Sequence, residues 1–298
     1  MSTGGVSGGR LKRTVNSRAT LYLGFILGLG VLFVVLWAQL EKRYIFFPTS
    51  EIEYTPDQAG LVYEDIYFAT EDGLELNGWF IPGEEDVTWL WLHGNGGNIG
   101  HRVEELAMIN RRLKVNQLIF DYRGYGKSTG KPTEQGTYLD SRAALAYLGS
   151  RSDVEPDKIV YFGRSLGSAV AVELATNHPP LGLALVSPFA SIGDMARVAY
   201  PFLPVHLLVR NRYDSLNLIR QIHRPLLILH GDQDETVPLA QGQKLYQAAN
   251  PPKQFQVLPG VRHNDTYYGG NKGGSVYWDA LADFLNALKD GSGGGDRE

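Results

Sequence analysis

The sequence of 298 residues contains no cysteine. This absence excludes disulfide bonds, thiolate metal sites, a cysteine nucleophile and S-acylation of the protein itself. It suits an oxidising and a reducing compartment equally, so it does not place the protein in the cell. The rest of the composition, with 43% hydrophobic and 20% charged residues, is that of an ordinary globular protein.

The chain also lacks an excess of positive charge. The formal net charge is −4, and no block of basic residues occurs outside the N-terminus. Nucleic-acid binding therefore has no electrostatic support. The chain has neither a G-x-x-x-x-G-K-[ST] loop nor a spaced G-x-G-x-x-G, so nucleotide binding is only weakly supported. No metal or organic cofactor is expected.

Charged residues are absent altogether from residues 19–40, ATLYLGFILGLGVLFVVLWAQL. As a helix this segment would span ~33 Å, which matches a bilayer core of about 30 Å. A cleaved signal peptide has a shorter apolar region that ends in small residues, whereas Leu36 and Ala38 form a poor cleavage pair. A buried core helix is the remaining alternative. We therefore predict a single transmembrane signal anchor.

Basic residues flank this segment unequally. Four precede it and two follow it directly: Arg10, Lys12, Arg13 and Arg18, then Lys42 and Arg43. By the positive-inside rule, the N-terminus is expected in the cytoplasm and the following domain on the non-cytoplasmic side. Residues 1–18 and the glycine-rich tail 290–298 are expected to be flexible.

Residues 44–289 alternate between strand-like and helix-like segments. Near-continuous apolar runs such as VTWLWLHG (87–94) and PLLILHGD (225–232) are typical of strands buried on both faces. Segments with helical character follow such strands, which predicts an α/β fold with a mostly parallel sheet covered by helices on both faces. LVYEDIYFAT and LELNGWFIP, joined through Asp72-Gly73, predict an antiparallel hairpin at the leading edge.

One interval is too long for a simple crossover, which needs about a dozen residues. Residues 189–224 separate LVSP from PLLILHG and are predicted to form a small cap over one end of the sheet. Its apolar residues fit ordinary packing of a short helix, a wall for an acyl group, or a surface that touches a membrane: Tyr200, Pro201, Phe202, Leu203, Pro204, Leu207, Leu208 and Val209.

GRSLG at 163–167 lies between the strand-like KIVYFG and the helix-like SLGSAVAVEL. In this context G-x-S-x-G predicts a nucleophile elbow, in which glycines on both sides give the serine clearance. The helix N-terminus also directs free N–H groups at whatever Ser165 attacks. A purely structural glycine-rich turn is the alternative. Arg164, beside the serine, fits a substrate contact, a salt bridge or a solvent-facing position.

A serine nucleophile needs a histidine base, and the histidine needs an acid that orients it. Of the seven histidines, only His263 follows the last predicted strand, in a loop with room to reach across the sheet. The loop after PLLILHG offers Asp232 and Asp234. Asp232 is placed for turn formation, so Asp234 is the preferred acid and Asp232 the alternative.

Acyl transfer at a serine also needs donors for the oxyanion. One is expected to be the backbone N–H of Leu166, directly after the serine. The second is expected from the loop HGNGGNIG, where Gly94, Gly96 and Gly97 allow close approach of the backbone. The N–H of Asn95 is the favoured donor in that loop.

Together these motifs resemble the α/β-hydrolase superfamily, and within it the membrane-anchored abhydrolase-domain-containing serine hydrolases. The resemblance covers about 44–289 and rests on YIFFP, HGNGGNIGHR, DYRGYGKSTGKPTE, GRSLGSAVAVELA, SPFAS, HGDQDETVP and GVRHND. It implies Ser165 as nucleophile, His263 as base, Asp234 as acid, and Asn95 and Leu166 as oxyanion donors.

The expected function is therefore that of a membrane-anchored serine hydrolase that cleaves an ester or thioester through an acyl-enzyme. A small-molecule or lipid-like acyl substrate is the expected partner. A serine exopeptidase or amidase is one alternative, although it would need a charged subsite and the cap contains no compelling acidic cluster. A non-catalytic, membrane-tethered binding protein on the same fold is the other.

Overall fold

The computed structural model describes residues 1, 4, 17–202, 206, 208–268 and 272–292. The chain divides into two units, Met1–Tyr44 and Ile45–Glu298. Helix α1 (Ser17–Ile45) dominates the first unit and includes all of the predicted segment 19–40. The predicted transmembrane helix itself is not found, because no helix in the described ranges is both long and apolar enough to cross a bilayer.

The second unit is built on an eight-stranded sheet with the order β10-β9-β8-β7-β4-β6-β3-β2. The six strands from β10 to β6 in this order pair in parallel, and β2 and β3 are antiparallel to their neighbours. The predicted sheet and its edge hairpin are thus confirmed. The strands are β2 (Glu64–Ala69), β3 (Glu75–Ile81), β4 (Thr88–Leu92), β6 (Asn116–Phe120), β7 (Ile159–Arg164), β8 (Gly182–Val186), β9 (Leu226–Gly231) and β10 (Lys253–Leu258).

Helices cover both faces of this sheet, as the alternating pattern predicts. Residues of α3, α4 and α7 pack in the hydrophobic core on one face, and residues of α2 and α8 pack in the core on the other. The helices after α1 are α2 (Val103–Leu113), α3 (Glu134–Ser150), α4 (Leu166–Asn177), α5 (Ile192–Ala199), α6 (Ser215–Leu218), α7 (Leu239–Ala248) and α8 (Lys272–Ser292).

The central strands are buried on both sides, which explains their continuous apolar sequences. Every residue of β4 is buried, and its side chains alternate between the two cores. Trp89 and Trp91 lie on one face with Phe162 of β7, and their rings are 5.0 and 4.9 Å from the Phe162 ring centroid. This aromatic cluster removes a large apolar area from water and joins adjacent strands.

A two-stranded parallel pair lies outside the main sheet. Strand β1 (Phe47–Pro48) pairs with β5 (Gly96–Gly97), within the loop that follows β4. The Phe47 N–H donates to the Asn95 carbonyl at 2.9 Å. Nothing in the sequence pattern predicted this pairing, which holds the chain just after α1 against the loop that carries Asn95.

The predicted cap at 189–224 contains α5, α6 and a 3₁₀ turn (Ile219–Gln221). Residues 203–205 and 207, including Leu203, Pro204 and Leu207, lie outside the described residues. Phe202 is 96% exposed. At the C-terminus, α8 continues to Ser292, two residues beyond the predicted start of the tail, and 293–298 lie outside the description, as does most of 1–18.

Candidate active site

Ser165 occupies the turn between the end of β7 and the start of α4. Its backbone has φ 51° and ψ −116°, a conformation that is strained for a residue with a Cβ. The Ser165 N–H donates to the Val186 carbonyl at 2.9 Å, which anchors the turn to β8. The strand–turn–helix context expected for the elbow is therefore present, and its strain lies at the serine itself.

Two glycines create the clearance around this turn. A Cβ on Gly167 would lie 1.9 Å from the Leu92 carbonyl oxygen, and a Cβ on Gly163 would lie 2.7 Å from the Gly167 carbonyl oxygen. Both distances are far inside van der Waals contact. Because α4 packs this tightly against β4 at Gly167 and against β7 at Gly163, only glycine fits at either position.

We expect Gly167→Ala to lower the free energy of unfolding by about 3 kcal/mol or more, because the added methyl group displaces α4 from β4. Urea denaturation followed by circular dichroism measures this loss. Gly193→Ala is the matched control: its Cβ would meet nothing closer than Ser191 Oγ at 3.6 Å, and alanine favours its helix α5 by about 0.5–1 kcal/mol. Equal stability of the two variants would contradict the clearance interpretation.

His263 and Asp234 meet directly, although 29 residues separate them in the sequence. His263 Nδ1 lies 2.8 Å from Asp234 Oδ2. The other carboxylate oxygen, Oδ1, accepts the N–H groups of Thr236 at 3.0 Å and Val237 at 2.7 Å. These bonds fix the carboxylate plane, and they leave Oδ2 available to orient the imidazole.

Ionisation of Asp234 follows from the same contacts. Burial opposes the charged form of Asp234. The hydrogen bond with His263, the positive charge of the protonated imidazole and the Val237 N–H outweigh burial, so the pKa of Asp234 lies below its usual value. The group is therefore a carboxylate at neutral pH. It can accept the Nδ1 proton of His263, which leaves Nε2 as the free base.

Asp232, the alternative acid, has a different role. Its Oδ1 accepts the N–H of Gly260 at 2.7 Å and thereby joins the loops after β9 and β10. A second histidine, His230, also lies close to Asp234, with its Nε2 3.6 Å from Asp234 Oδ2. This nitrogen forms its hydrogen bond with the Val237 carbonyl at 2.8 Å. Burial lowers the pKa of His230, which keeps this second imidazole neutral beside the acid.

One expected oxyanion donor, Leu166, directly follows the serine in the chain, and the other, Asn95, lines the same cavity as Ser165. Leu166 is the first residue of α4, where N–H groups have no partner within the helix. The Asn95 carbonyl accepts the Tyr125 hydroxyl at 2.8 Å, and the Asn95 side chain donates to the Ile45 carbonyl at 2.8 Å. Among the described residues neither the Asn95 N–H nor the Leu166 N–H has an acceptor, so both remain available to donate a hydrogen bond.

Ser165, His263 and Asn95 line one cavity of about 490 Å³. Its wall also includes Thr236 and glycines of the loop after β4. No described residue of the predicted cap lines it. The structure thus brings the candidate nucleophile, base and oxyanion loop to a common space, with Asp234 behind the base.

Arg164 has a role that sequence reasoning left open. Its Nη1 donates to Glu105 Oε2 at 2.9 Å, and its Nη2 donates to the His263 carbonyl at 3.0 Å. Tyr277 completes the network by donating its hydroxyl to Glu105 Oε1 at 2.7 Å. All four residues are buried. Arg164 directly precedes the candidate nucleophile, so its bond to the His263 carbonyl connects the nucleophile turn with the loop of the candidate base.

We expect Arg164→Met to lower the free energy of unfolding by about 3–5 kcal/mol, because it leaves the buried Glu105 carboxylate without its cation. Urea denaturation measures the change. Arg142→Met, which removes a partly exposed pair with Glu173 at 3.3 Å, is the control and should cost less than about 1 kcal/mol. A cost for Arg164→Met as small as that of the control would show that the buried network contributes little.

Three relatives align with nearly the whole chain. An uncharacterized protein of Mycobacterium tuberculosis is 40% identical, with 84% of this chain and 88% of the relative covered. The alpha/beta hydrolase domain-containing protein WAV2 of Arabidopsis thaliana is 36% identical over 90% and 94% of the two chains. The chain belongs to the α/β-hydrolase superfamily. Protein bem46 of Schizosaccharomyces pombe, 35% identical over 87% and 89%, is a further similar sequence.

Other comparisons agree with this α/β-hydrolase assignment. Residues 84–216 match the family model described as "Serine aminopeptidase, S33". A Pyrococcus furiosus esterase shares 24% identity with a TM-score of 0.68 over 81% of this chain and 98% of that chain. The alpha/beta hydrolase GrgF from a Penicillium species gives 19% identity and a TM-score of 0.64 over 76% and 99%. At these identities the solved structures support the fold.

Proposed function

We propose that this α/β-hydrolase cleaves an ester or thioester through a Ser165–His263–Asp234 triad. The observation that carries the proposal is the 2.8 Å contact of His263 Nδ1 with Asp234 Oδ2. His263 and the strained Ser165 line the same cavity. A free serine hydroxyl is a weak nucleophile, and an oriented imidazole is what activates it. A binding protein on this fold would have no need for that arrangement.

The proposed reaction has two halves. His263 accepts the proton of Ser165 Oγ as this oxygen attacks the carbonyl carbon, and the N–H groups of Asn95 and Leu166 stabilise the oxyanion. Return of the proton from His263 to the leaving group then expels it and leaves an acyl-serine. Water, deprotonated by His263, attacks that ester and releases the acid. Asp234 holds the imidazole and stabilises its cation throughout.

Aminopeptidase activity is the second candidate, because the matching family model carries that description. Recognition of a free α-ammonium group favours a carboxylate close to the nucleophile. The described residues that line the cavity include arginines and histidines but no aspartate or glutamate. Ester cleavage is therefore the better supported reaction of the two.

A neighbouring cavity gives room for an apolar part of the substrate. It has a volume of about 490 Å³, and its walls include Ala59, Val103, Ala107 and Tyr267. His101 lines both this cavity and the one that contains Ser165. We take this space, rather than the cap, as the proposed site for an acyl chain or an apolar leaving group.

A substrate panel tests the proposed reaction. 4-Nitrophenyl esters of two to twelve carbons are assayed beside aminoacyl 4-nitroanilides, and labelling by a fluorophosphonate probe reports an activated serine. We expect labelling, and we expect turnover of the esters with a preference for acyl chains that fill the second cavity. Turnover of the anilides alone would favour the aminopeptidase, and absence of both labelling and turnover would favour a non-catalytic protein.

Membrane attachment with the catalytic domain on the non-cytoplasmic side is a separate proposal. Its support is the uncharged segment 19–40 and the excess of basic residues before it. Large apolar side chains of α1 such as Leu21, Phe25 and Ile26 are more than 60% exposed. Recovery of the protein in the membrane pellet after alkaline carbonate washing supports attachment, and reporter fusions at each terminus give the orientation. Complete release by carbonate would contradict it.

A further inference from the structure

A second arginine lines the cavity of Ser165, and the proposed mechanism does not use it. Arg102 lies at the end of a 3₁₀ turn (Ile99–Arg102) that leads into α2. Its Nη2 donates to the Gly96 carbonyl at 2.7 Å, in the loop that carries Asn95. Its Nε is buried and has no hydrogen-bond partner among the described residues. The guanidinium therefore lies beside the oxyanion loop with donor capacity to spare.

No described carboxylate forms an ion pair with Arg102, although the charges of Glu105 and Asp121 act to raise its pKa. Arg164, which lines the same cavity, is paired with Glu105 at 2.9 Å. By contrast, Arg102 has no carboxylate oxygen within 4 Å in the part of the chain that the structure describes. Burial raises the pKa of the nearby Asp121 to about 8, which disfavours a full negative charge on this carboxyl near neutral pH.

An unpaired guanidinium in a partly buried wall is costly, because it has lost water without gaining a counter-ion. Burial, together with the charge of Arg164, lowers the pKa of Arg102 from its usual value, as expected for such a position. The only other titratable groups on the cavity wall within the described residues are His101 and His263, which carry no negative charge. The cavity is thus electrostatically complementary to an anion.

We propose that Arg102 binds an anionic oxygen group, a carboxylate or a phosphate, that the substrate carries in addition to its scissile ester. This inference rests on the proposed esterase function and names the substrate class of the same cavity. Guanidinium recognises both oxyanions through paired hydrogen bonds. The bond to Gly96 holds the arginine next to the loop of Asn95, so a bound anion would lie close to the reacting carbonyl.

Two pairs of esters test the inference and separate the two sources of negative charge. Mono-4-nitrophenyl adipate is compared with 4-nitrophenyl hexanoate, which places a carboxylate on the acyl side. 1-Octanoylglycerol 3-phosphate is compared with 1-octanoylglycerol, which places a phosphate on the leaving group. We expect kcat/KM to favour the anionic member of at least one pair by about 10- to 100-fold, the range for hydrogen bonds to charged groups.

Variants then assign the preference to Arg102. Arg102→Gln should abolish the preference, because kcat/KM should fall by a much larger factor for the anionic ester than for the neutral one, whereas Arg102→Lys should retain part of the preference. Arg220→Gln, which removes an exposed positive charge elsewhere, should retain all of it. Circular dichroism and fluorophosphonate labelling of each variant verify that the protein is folded and that the serine is reactive.

Three outcomes overturn the inference. One is a wild-type protein that labels and turns over esters but shows no anionic preference in either pair. Another is an equal loss by Arg102→Gln on charged and neutral esters, which would assign the arginine to the oxyanion or to stability. In both cases the esterase proposal survives. Absence of labelling and of all turnover overturns the esterase proposal and this inference together.

Discussion

Replacement of Ser165 by alanine is expected to lower kcat for the best ester by about 10⁴- to 10⁶-fold and to abolish fluorophosphonate labelling. The reason is that, in the proposed mechanism, the substitution removes the oxygen that forms the acyl-enzyme and leaves the proposed oxyanion donors in place. Stopped assays at high enzyme concentration measure the residual rate. Alanine differs from serine only by the hydroxyl group and keeps the Cβ that makes this backbone conformation strained, so the free energy of unfolding should change little.

Ser168, one turn further along α4, provides the matched control. Its Oγ donates to the Gly163 carbonyl at 2.9 Å and is buried in the helix packing. Ser168→Ala should therefore cost about 1 kcal/mol of stability but keep the labelling stoichiometry. Persistent labelling of Ser165→Ala would exclude Ser165 as the nucleophile. Loss of labelling only in Ser168→Ala would assign the reactive hydroxyl to Ser168.

The second large effect is expected at the acid. Asp234→Asn should lower kcat by about 10⁴-fold, because the amide cannot stabilise the imidazolium and holds His263 in the wrong tautomer. The geometry should survive, since the asparagine oxygen can still accept the N–H groups of Thr236 and Val237. Measurement of kcat/KM with the preferred ester, together with a thermal unfolding curve, separates this effect from loss of structure.

Asp232→Asn is the control for this prediction, because Asp232 is the other carboxylate of the same loop. Its contact with the Gly260 N–H can be made equally well by an amide oxygen, so kcat should stay within about threefold. A larger loss in Asp232→Asn than in Asp234→Asn would reverse the assignment of the acid. Both variants replace one carboxylate oxygen with an amide nitrogen, and the two positions are only two residues apart.

Much of this arrangement could be predicted because its signals are local. The continuous apolar runs identify buried strands, and Asp72-Gly73 identifies the hairpin within a few residues. The elbow is also readable, since Gly163 and Gly167 flank Ser165 directly. The structure places His263 against Asp234 as the order of loops suggested; their catalytic roles remain predictions until the variants above are measured.

The remaining features depend on partners that are distant in the sequence. Arg164 meets Glu105 and His263, which are 59 and 99 residues away, so no local pattern reveals its role. The pairing of β1 with β5 involves two residues on each strand, too few for any periodicity. For the apolar residues of the cap, the sequence left open ordinary packing, a wall for an acyl group and a membrane-touching surface. The described residues of the cap do not line the cavity of Ser165, and the neighbouring apolar space lies beside α2.

The short pairing of β1 with β5 has a practical consequence for anyone who shortens this protein. Asn95 is held from three directions, by the Phe47 N–H, the Ile45 carbonyl and the Tyr125 hydroxyl. Two of these three supports come from residues that precede the first strand of the main sheet by almost twenty positions. A chain trimmed back to the sheet would keep Ser165, His263 and Asp234 and still lose two of the three contacts that hold Asn95. We therefore expect a shortened chain to retain the proposed ester hydrolysis only if it begins no later than Ile45.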